Sequence, residues 1–79
     1  MKDRYGVVNA IVREKYEKEY QVPYGYDYIC YDAETAVAEC KKLNEENTDL
    51  IPCHVVERIY DDGYASNNRE EVYRSEEFI

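Results

Sequence analysis

Near the start of the chain, apolar residues occupy both odd- and even-numbered positions, so both faces of a strand there would be apolar. Residues 5–14 (YGVVNAIVRE) are rich in β-branched residues, which is typical of a buried central strand. Apolar residues also recur every three or four positions from Tyr5 to Tyr20, so a helix over this region is the alternative interpretation. Gly6 and the adjacent β-branched pairs favour the strand.

A second strand is predicted after a turn at residues 22–25. Pro23 ends any helix that arrives from the preceding residues. Residues 24–31 (YGYDYICY) then alternate, and one face would carry Tyr24, Tyr26, Tyr28 and Cys30. We expect this strand to pair antiparallel with the first one through a long loop, residues 15–23.

The clearest helical pattern begins at Ala33. Asp32 is a suitable N-cap, and Glu34 in the first turn favours the positive end of the helix dipole. Apolar residues recur with the helical period as far as Leu43. The sequence therefore predicts one amphipathic helix that closes near residues 44–47.

The last third of the chain predicts a strand, a turn and a short helix. Residues 53–60 (CHVVERIY) are typical of a third strand, and Gly63 suits a turn at residues 61–63. An asparagine cap at residue 67 or 68 followed by acids predicts a final helix up to about Arg74. Residues 75–79 are expected to fray.

These elements give the order β-β-α-β-α in one domain, residues 1–79. A right-handed crossover from the second strand through the main helix would place the third strand beside the first. We therefore expect an α+β fold. Its sheet would have three strands, antiparallel or mixed, in the order 2-1-3, with the main helix on one face and a short C-terminal helix.

The charge of the chain narrows the possible partners. Its 79 residues include 18 acids and 10 bases, a net charge of −8, and after residue 26 acids outnumber bases fourteen to five. Such a surface repels phosphate backbones, so we expect no direct binding to nucleic acid. No apolar run approaches the ~18 residues of a membrane span, and no export signal follows Met1. A cytoplasmic location is therefore expected.

Three cysteines and one histidine are the only soft metal ligands. These candidates are Cys30, Cys40, Cys53 and His54. By number they could form a Cys₃His zinc site, but there is no CxxC pair and adjacent residues of one strand point to opposite faces. We expect structural cysteines and no cofactor, with a zinc site as the alternative.

Catalytic chemistry has little support in the sequence. His54 is the sole histidine, and its neighbour Cys53 cannot pair with it across one strand. The three glycines are isolated, so no phosphate-binding loop is present in the sequence. We expect that the protein is not an enzyme.

Tyrosine is the most informative residue type, with ten copies against one Phe and no Trp. Tyrosine is enriched at binding hot spots because it combines a large rigid ring with a polar tip. Carboxylates around such rings can imitate phosphates for a basic protein. The predicted contact residues are Asp27, Asp32, Glu34, Asp61, Asp62, Glu70, Glu71, Tyr24, Tyr26, Tyr28, Tyr31, Tyr60 and Tyr64.

The segments YGYDYICYDAETAVAECKKLNEEN and CHVVERIYDDGY resemble those of small phage or mobile-element proteins of Firmicutes. In size, charge and character the chain is similar to anti-CRISPR proteins that inhibit the type II RNA-guided DNA nuclease. The resemblance implies a stoichiometric inhibitor that acts in the bacterial host cell. It would bind a basic surface of the nuclease and block its engagement with guide RNA or DNA, or lock a nuclease domain.

Two alternatives share the same composition. One is a small zinc-stabilised interaction module, which would lose stability in chelator. The other is an antitoxin-like partner of a basic toxin. An enzyme is the minority interpretation beside the antitoxin, and no membrane partner is expected.

Overall fold

The computed structural model describes residues 3–46, 53–60 and 68–77. The elements are β1 (Arg4–Asn9), α1 (Ala10–Tyr20), β2 (Tyr28–Cys30), α2 (Ala33–Glu46), β3 (His54–Ile59) and β4 (Arg69–Arg74). The strands form one antiparallel sheet in the order β2-β1-β3-β4. The α+β class is thus confirmed, and the expected sheet of three strands is corrected to four.

A helix cap at Asn9 divides the first predicted strand. The Asn9 side chain accepts hydrogen bonds from the amides of Ile11 and Val12, at 3.1 and 3.0 Å, which starts α1. The prediction of one strand over residues 5–14 was therefore wrong in its second half. The chain forms the predicted strand first, in β1, and then the alternative helix, in α1. This helix also contains most of the residues that were predicted to form a loop.

The second strand is much shorter than predicted. Only Tyr28–Cys30 are in β2, and Gly6 of β1 faces Ile29 in their register. The chain between α1 and β2 first turns at Gln21, whose φ of 56° places it in the left-handed region. The amide of Asp27 then donates to the carbonyl of Val7 at 2.8 Å, which fixes the segment at the edge of β1.

The predicted main helix is confirmed. Thr35 donates to the Asp32 carboxylate from its amide at 2.9 Å and from its hydroxyl at 2.8 Å, so Asp32 is the expected cap. The helix packs on the sheet through buried Ala36 and Cys40, which contact Val7 and Val56. This face of the sheet holds the larger part of the core.

The predicted final helix is wrong, because residues 69–74 form β4. In the register with β3, Tyr73 faces Val56 and Glu71 faces Glu57, with an irregularity between Val56 and Glu57. Pairing with the otherwise open edge of β3 outweighs the helical preference of the charged residues. Tyr73 also packs against the core beneath α2.

The second face of the sheet is covered by a tyrosine and by polar contacts. Buried Val8, Val55 and Ile59 pack against Tyr26, which is 4% exposed. The Tyr26 ring lies so close to Gly6 that an added Cβ would come within 2.8 Å of its Cε1. None of the eleven residues described for α1 is buried, so this helix adds little to the core.

Candidate functional site

Carboxylates dominate the surface of the described residues. Twelve of the fifteen acidic side chains in residues 3–46, 53–60 and 68–77 are exposed, against five of the nine basic ones. The difference arises because several arginines turn inward. Arg13 pairs with Glu57 at 2.6 Å, and Arg69 lies 3.7 Å from Glu17. The exposed charge is therefore more one-sided than the composition.

Glu57 is the centre of a buried ionic network on the second face of the sheet. Its side chain is 4% exposed, and its Oε1 accepts from Arg13 Nη1 at 2.6 Å and from the Tyr26 hydroxyl at 3.0 Å. Arg69 Nε lies 3.4 Å from the same oxygen. Burial and the Glu57 charge raise the pKa of Tyr26, so its hydroxyl stays a donor. The network joins α1, β3 and β4.

The sequence could have indicated Glu57, because it is the only acid in the predicted strand CHVVERIY and follows two adjacent valines. The pKa of Arg13 is lowered by burial, but its hydrogen bond to Glu57 and the Glu57 charge outweigh that effect and raise it. Both guanidiniums remain charged against the carboxylate. The arrangement holds elements together and offers no proton to a reaction.

The predicted contact tyrosines are divided between the interior and the surface. Tyr26 is buried, while Tyr24 and Tyr28 are half-buried, each against a different core cluster. Tyr31 and Tyr60 are exposed, by 63% and 47%. Among the predicted tyrosines that the structure describes, only these two are exposed.

The predicted acids lie mostly on the surface. Asp27, Asp32 and Glu34 are exposed on or beside the start of α2 and β2, and Glu70 and Glu71 are exposed on β4. The Asp32 carboxylate is used by the helix cap, and its hydrogen bonds from Thr35 lower its pKa. Three predicted contact residues lie outside the described residues: Asp61, Asp62 and Tyr64.

Tyr60 sits in a charged corner at the end of β3. The Arg58 guanidinium lies 5.1 Å from the centroid of the Tyr60 ring, and Arg58 Nη2 donates to Asp3 at 2.6 Å. The Tyr60 hydroxyl donates to Glu70 at 3.3 Å. The corner therefore combines an exposed ring with two exposed carboxylates, which is the combination that the sequence predicted for a contact surface.

A tyrosine cluster on α1 was not predicted as part of the site. The Tyr16 ring lies between Tyr20 and Tyr24, with centroid distances of 4.7 and 5.0 Å. Tyr16 and Tyr20 are 37% and 57% exposed, and neighbouring Val12 is 43% exposed. The helical spacing of these residues was visible in the sequence, but the helix was only the alternative interpretation, and residues 15–23 were predicted to form a loop.

Cys40 lies close to Cys53 and to the backbone of His54, and Cys30 packs against the core cluster that contains Cys40. Cys30 Sγ donates to the carbonyl of Asp32 at 3.2 Å, and Cys40 Sγ donates to the carbonyl of His54 at 3.3 Å. The His54 ring lies 3.2 Å from Asn44 Oδ1 and 3.6 Å from Asp27 Oδ2. Within the described ranges, no group of three Cys, His, Asp or Glu side chains is arranged to hold a metal ion.

Burial shifts the pKa values of Cys40 and His54 in opposite directions. It raises the pKa of the Cys40 thiol to about 11, with a smaller effect from Cys53, so the thiol is protonated at neutral pH. Burial also lowers the pKa of His54, although Asp27 opposes this. A protonated thiol hydrogen-bonded to a carbonyl is a weak nucleophile, so Cys40 is a poor candidate for nucleophilic chemistry.

Comparisons with protein-family models, with curated proteins and with solved structures gave no match to this chain. Neither helix in the described part of the chain is both long and apolar enough to cross a membrane. The function is therefore inferred from the exposed charges and tyrosines of the chain.

Proposed function

We propose that the protein is an acidic inhibitor that binds a basic surface of a type II RNA-guided nuclease and blocks its engagement with nucleic acid. The observation that supports this most is the distribution of charge. The fold turns arginines inward to Glu57 and Glu17 and leaves twelve of fifteen described acids exposed. The protein thus offers carboxylates to a partner and retains few cations that would repel a basic surface.

The proposed target has complementary electrostatics. Such a nuclease holds about 20 base pairs of guide–target heteroduplex in a positively charged channel. Exposed carboxylates can occupy positions that phosphates would otherwise take, and they increase the rate of encounter at low ionic strength. A chain with a radius of gyration of 12.0 Å is small enough to cover part of such a channel.

Exposed tyrosines would supply the contacts that charge alone does not. Tyr31 and Tyr60 are exposed, the first after the edge strand β2 and the second after the interior strand β3. Tyr60 lies beside Glu70 and Arg58, so its ring and a carboxylate reach the same area. Rings of this kind anchor an interface, whereas the surrounding charges control rate and specificity. The proposal requires no cofactor and no catalysis.

The experiment is a binding measurement with the purified nuclease, with and without guide RNA, at about 0.1 M and about 1 M salt. The Debye length falls from about 10 Å to about 3 Å between these conditions, so the proposed complex weakens steeply. The variant Glu70→Gln/Glu71→Gln removes two charges from the predicted contact residues. We expect it to weaken binding about tenfold.

The matched control is Glu45→Gln/Glu46→Gln at the end of α2. It removes two adjacent exposed charges that are outside the predicted contact residues. Equal losses for the two variants would mean that net charge alone acts. No binding to either form of the nuclease at low salt, or binding that salt does not change, would overturn the proposal.

A further inference from the structure

A small cleft opens between α1 and the segment that precedes β2. Its volume is about 260 Å³, and its walls are Tyr16, Pro23, Tyr24, Gly25, Tyr26 and Asp27. Pockets for drug-sized ligands span about 300–1,000 Å³, so this cleft matches a single side chain better than a cofactor. We call it the tyrosine cleft.

Several local contacts hold the tyrosine cleft in shape. The chain reverses at Gln21, and Glu17 Oε2 accepts the Tyr24 amide at 3.0 Å, which ties the returning segment to α1. The Tyr24 ring then meets the Tyr16 ring with an interplanar angle of 58°. Tyr20 packs on the other side of Tyr16. The two tilted rings are therefore fixed by backbone and ring contacts, as a preformed site requires.

The chemistry of the walls favours a cation. Aromatic faces carry negative potential and attract ammonium or guanidinium groups within about 6 Å. Asp27 is the one acidic residue that lines the cleft, and its side chain is 38% exposed, although its Oδ2 accepts the Asn9 amide at 3.2 Å and lies 3.6 Å from His54 Nε2. The chain uses this chemistry twice within itself, with Arg58 at 5.1 Å from the Tyr60 ring and Lys41 at 5.8 Å from the Tyr73 ring.

We infer that the tyrosine cleft binds an arginine or lysine side chain from the basic partner. The source of that side chain rests on the proposed function, whereas the cation preference rests on the walls of the cleft. An apolar side chain would also fit by size. However, an apolar side chain would gain nothing from Asp27. A chain of net charge −8 attracts partners whose surfaces are rich in Arg and Lys, so a cationic side chain is the expected occupant.

The test uses a small probe and NMR. N-acetyl-arginine amide is titrated into the protein while the tyrosine ring signals are followed, and N-acetyl-citrulline amide, which has the same shape without charge, is the matched probe. We expect the arginine probe to shift the Tyr16 and Tyr24 signals saturably and the citrulline probe to bind more weakly. Equal shifts for both probes, or no saturable shift, would overturn the inference.

Variants identify the site. Tyr16→Leu removes one wall of the cleft and is expected to weaken the arginine probe about two- to fivefold, and Asp27→Asn is expected to weaken it as well. Tyr31→Leu removes an exposed tyrosine that does not line the cleft, and it should leave probe binding unchanged. An equal loss in Tyr31→Leu would place the binding elsewhere and overturn the inference.

The same variants separate this inference from the proposed function. If the arginine probe binds in the cleft but the nuclease does not bind the protein, the proposed function fails and the cation site remains. If the nuclease is bound equally well by Tyr16→Leu and by the unaltered protein, and the probe shows no preference for charge, the cleft inference fails. The proposed function is then tested only by nuclease binding of the Glu70→Gln/Glu71→Gln variant.

Discussion

Replacing Glu57 by glutamine tests whether the buried ionic network holds α1 on the sheet. The substitution keeps the size of the side chain and removes its charge. It leaves Arg13, Arg69 and the Tyr26 hydroxyl without the anion that they share. Because α1 has no buried side chain among its eleven residues, these contacts are a main connection between the helix and β3.

The size of the effect follows from the exposure of the partners. Removing one member of a buried ion pair costs about 3–5 kcal/mol. The side chains of Arg13 and Arg69 are 14% and 20% exposed, so they recover some hydration, and Arg69 keeps Glu17. We therefore expect the lower end, about 3 kcal/mol. For a domain of this length that corresponds to a decrease in melting temperature of about 12–24 °C.

The assay is thermal unfolding followed by far-ultraviolet circular dichroism, with Glu71→Gln as the control. Glu71 faces Glu57 across the β3–β4 register, but it is exposed and pairs only at the surface with Arg74. We expect Glu71→Gln to change stability by no more than about 0.5–1 kcal/mol. If the two variants unfold at the same temperature, the network does not stabilise the fold.

Two further predictions concern the core and pH. Gly6→Ala would push a methyl group into the Tyr26 ring, so we expect a loss of about 1–3 kcal/mol in chemical denaturation, and an unchanged midpoint would refute the close contact. Burial lowers the pKa of His54, with Asp27 opposing, so the unfolded state binds more protons as the pH falls through about 6.5. The free energy of unfolding should therefore decrease from about pH 7 to about pH 5, by at most about 1.4 kcal/mol per pH unit. His54→Gln should remove this part of the pH dependence in denaturation curves measured across the range. The same pH dependence in the variant would contradict the assignment to His54.

The N-terminal half shows why the sequence predicted the fold only in part. β-branched residues continue across Asn9 into α1, so propensity alone does not show where the strand ends. The change is made by one side chain, which caps two amides. At Asp32 the cap coincides with the start of an amphipathic stripe, and there the helix was predicted correctly.

β4 was missed because its stabilising contacts are not local. The segment Arg69–Arg74 is rich in charged residues that favour a helix in isolation. Its structure is decided by β3, whose edge needs a hydrogen-bonding partner, and by the position of Tyr73 against the core. Information of this kind lies in the pairing of distant segments and is absent from a local pattern.

The candidate site was predicted in its residue types but not in its arrangement. The predicted acids that the structure describes are exposed, as is Tyr60, whereas Tyr26 was predicted as a contact residue and is buried in the core with its hydroxyl bonded to Glu57. Tyr16 was predicted to lie in the loop of residues 15–23 or on the alternative helix, and it lines a cleft on α1. Which side of a tyrosine faces water depends on the partner of its hydroxyl, and the sequence alone does not reveal that partner.

The most direct test of the proposed function is a DNA-cleavage titration with a guide-loaded type II nuclease, in which the protein is added before or after the DNA substrate. If the protein competes with nucleic acid, cleavage falls in proportion to the amount added before the DNA and ends near one molecule per nuclease. Addition after the DNA has bound should then have little effect. Full cleavage at a large excess of the protein, in either order of addition, would contradict the proposal.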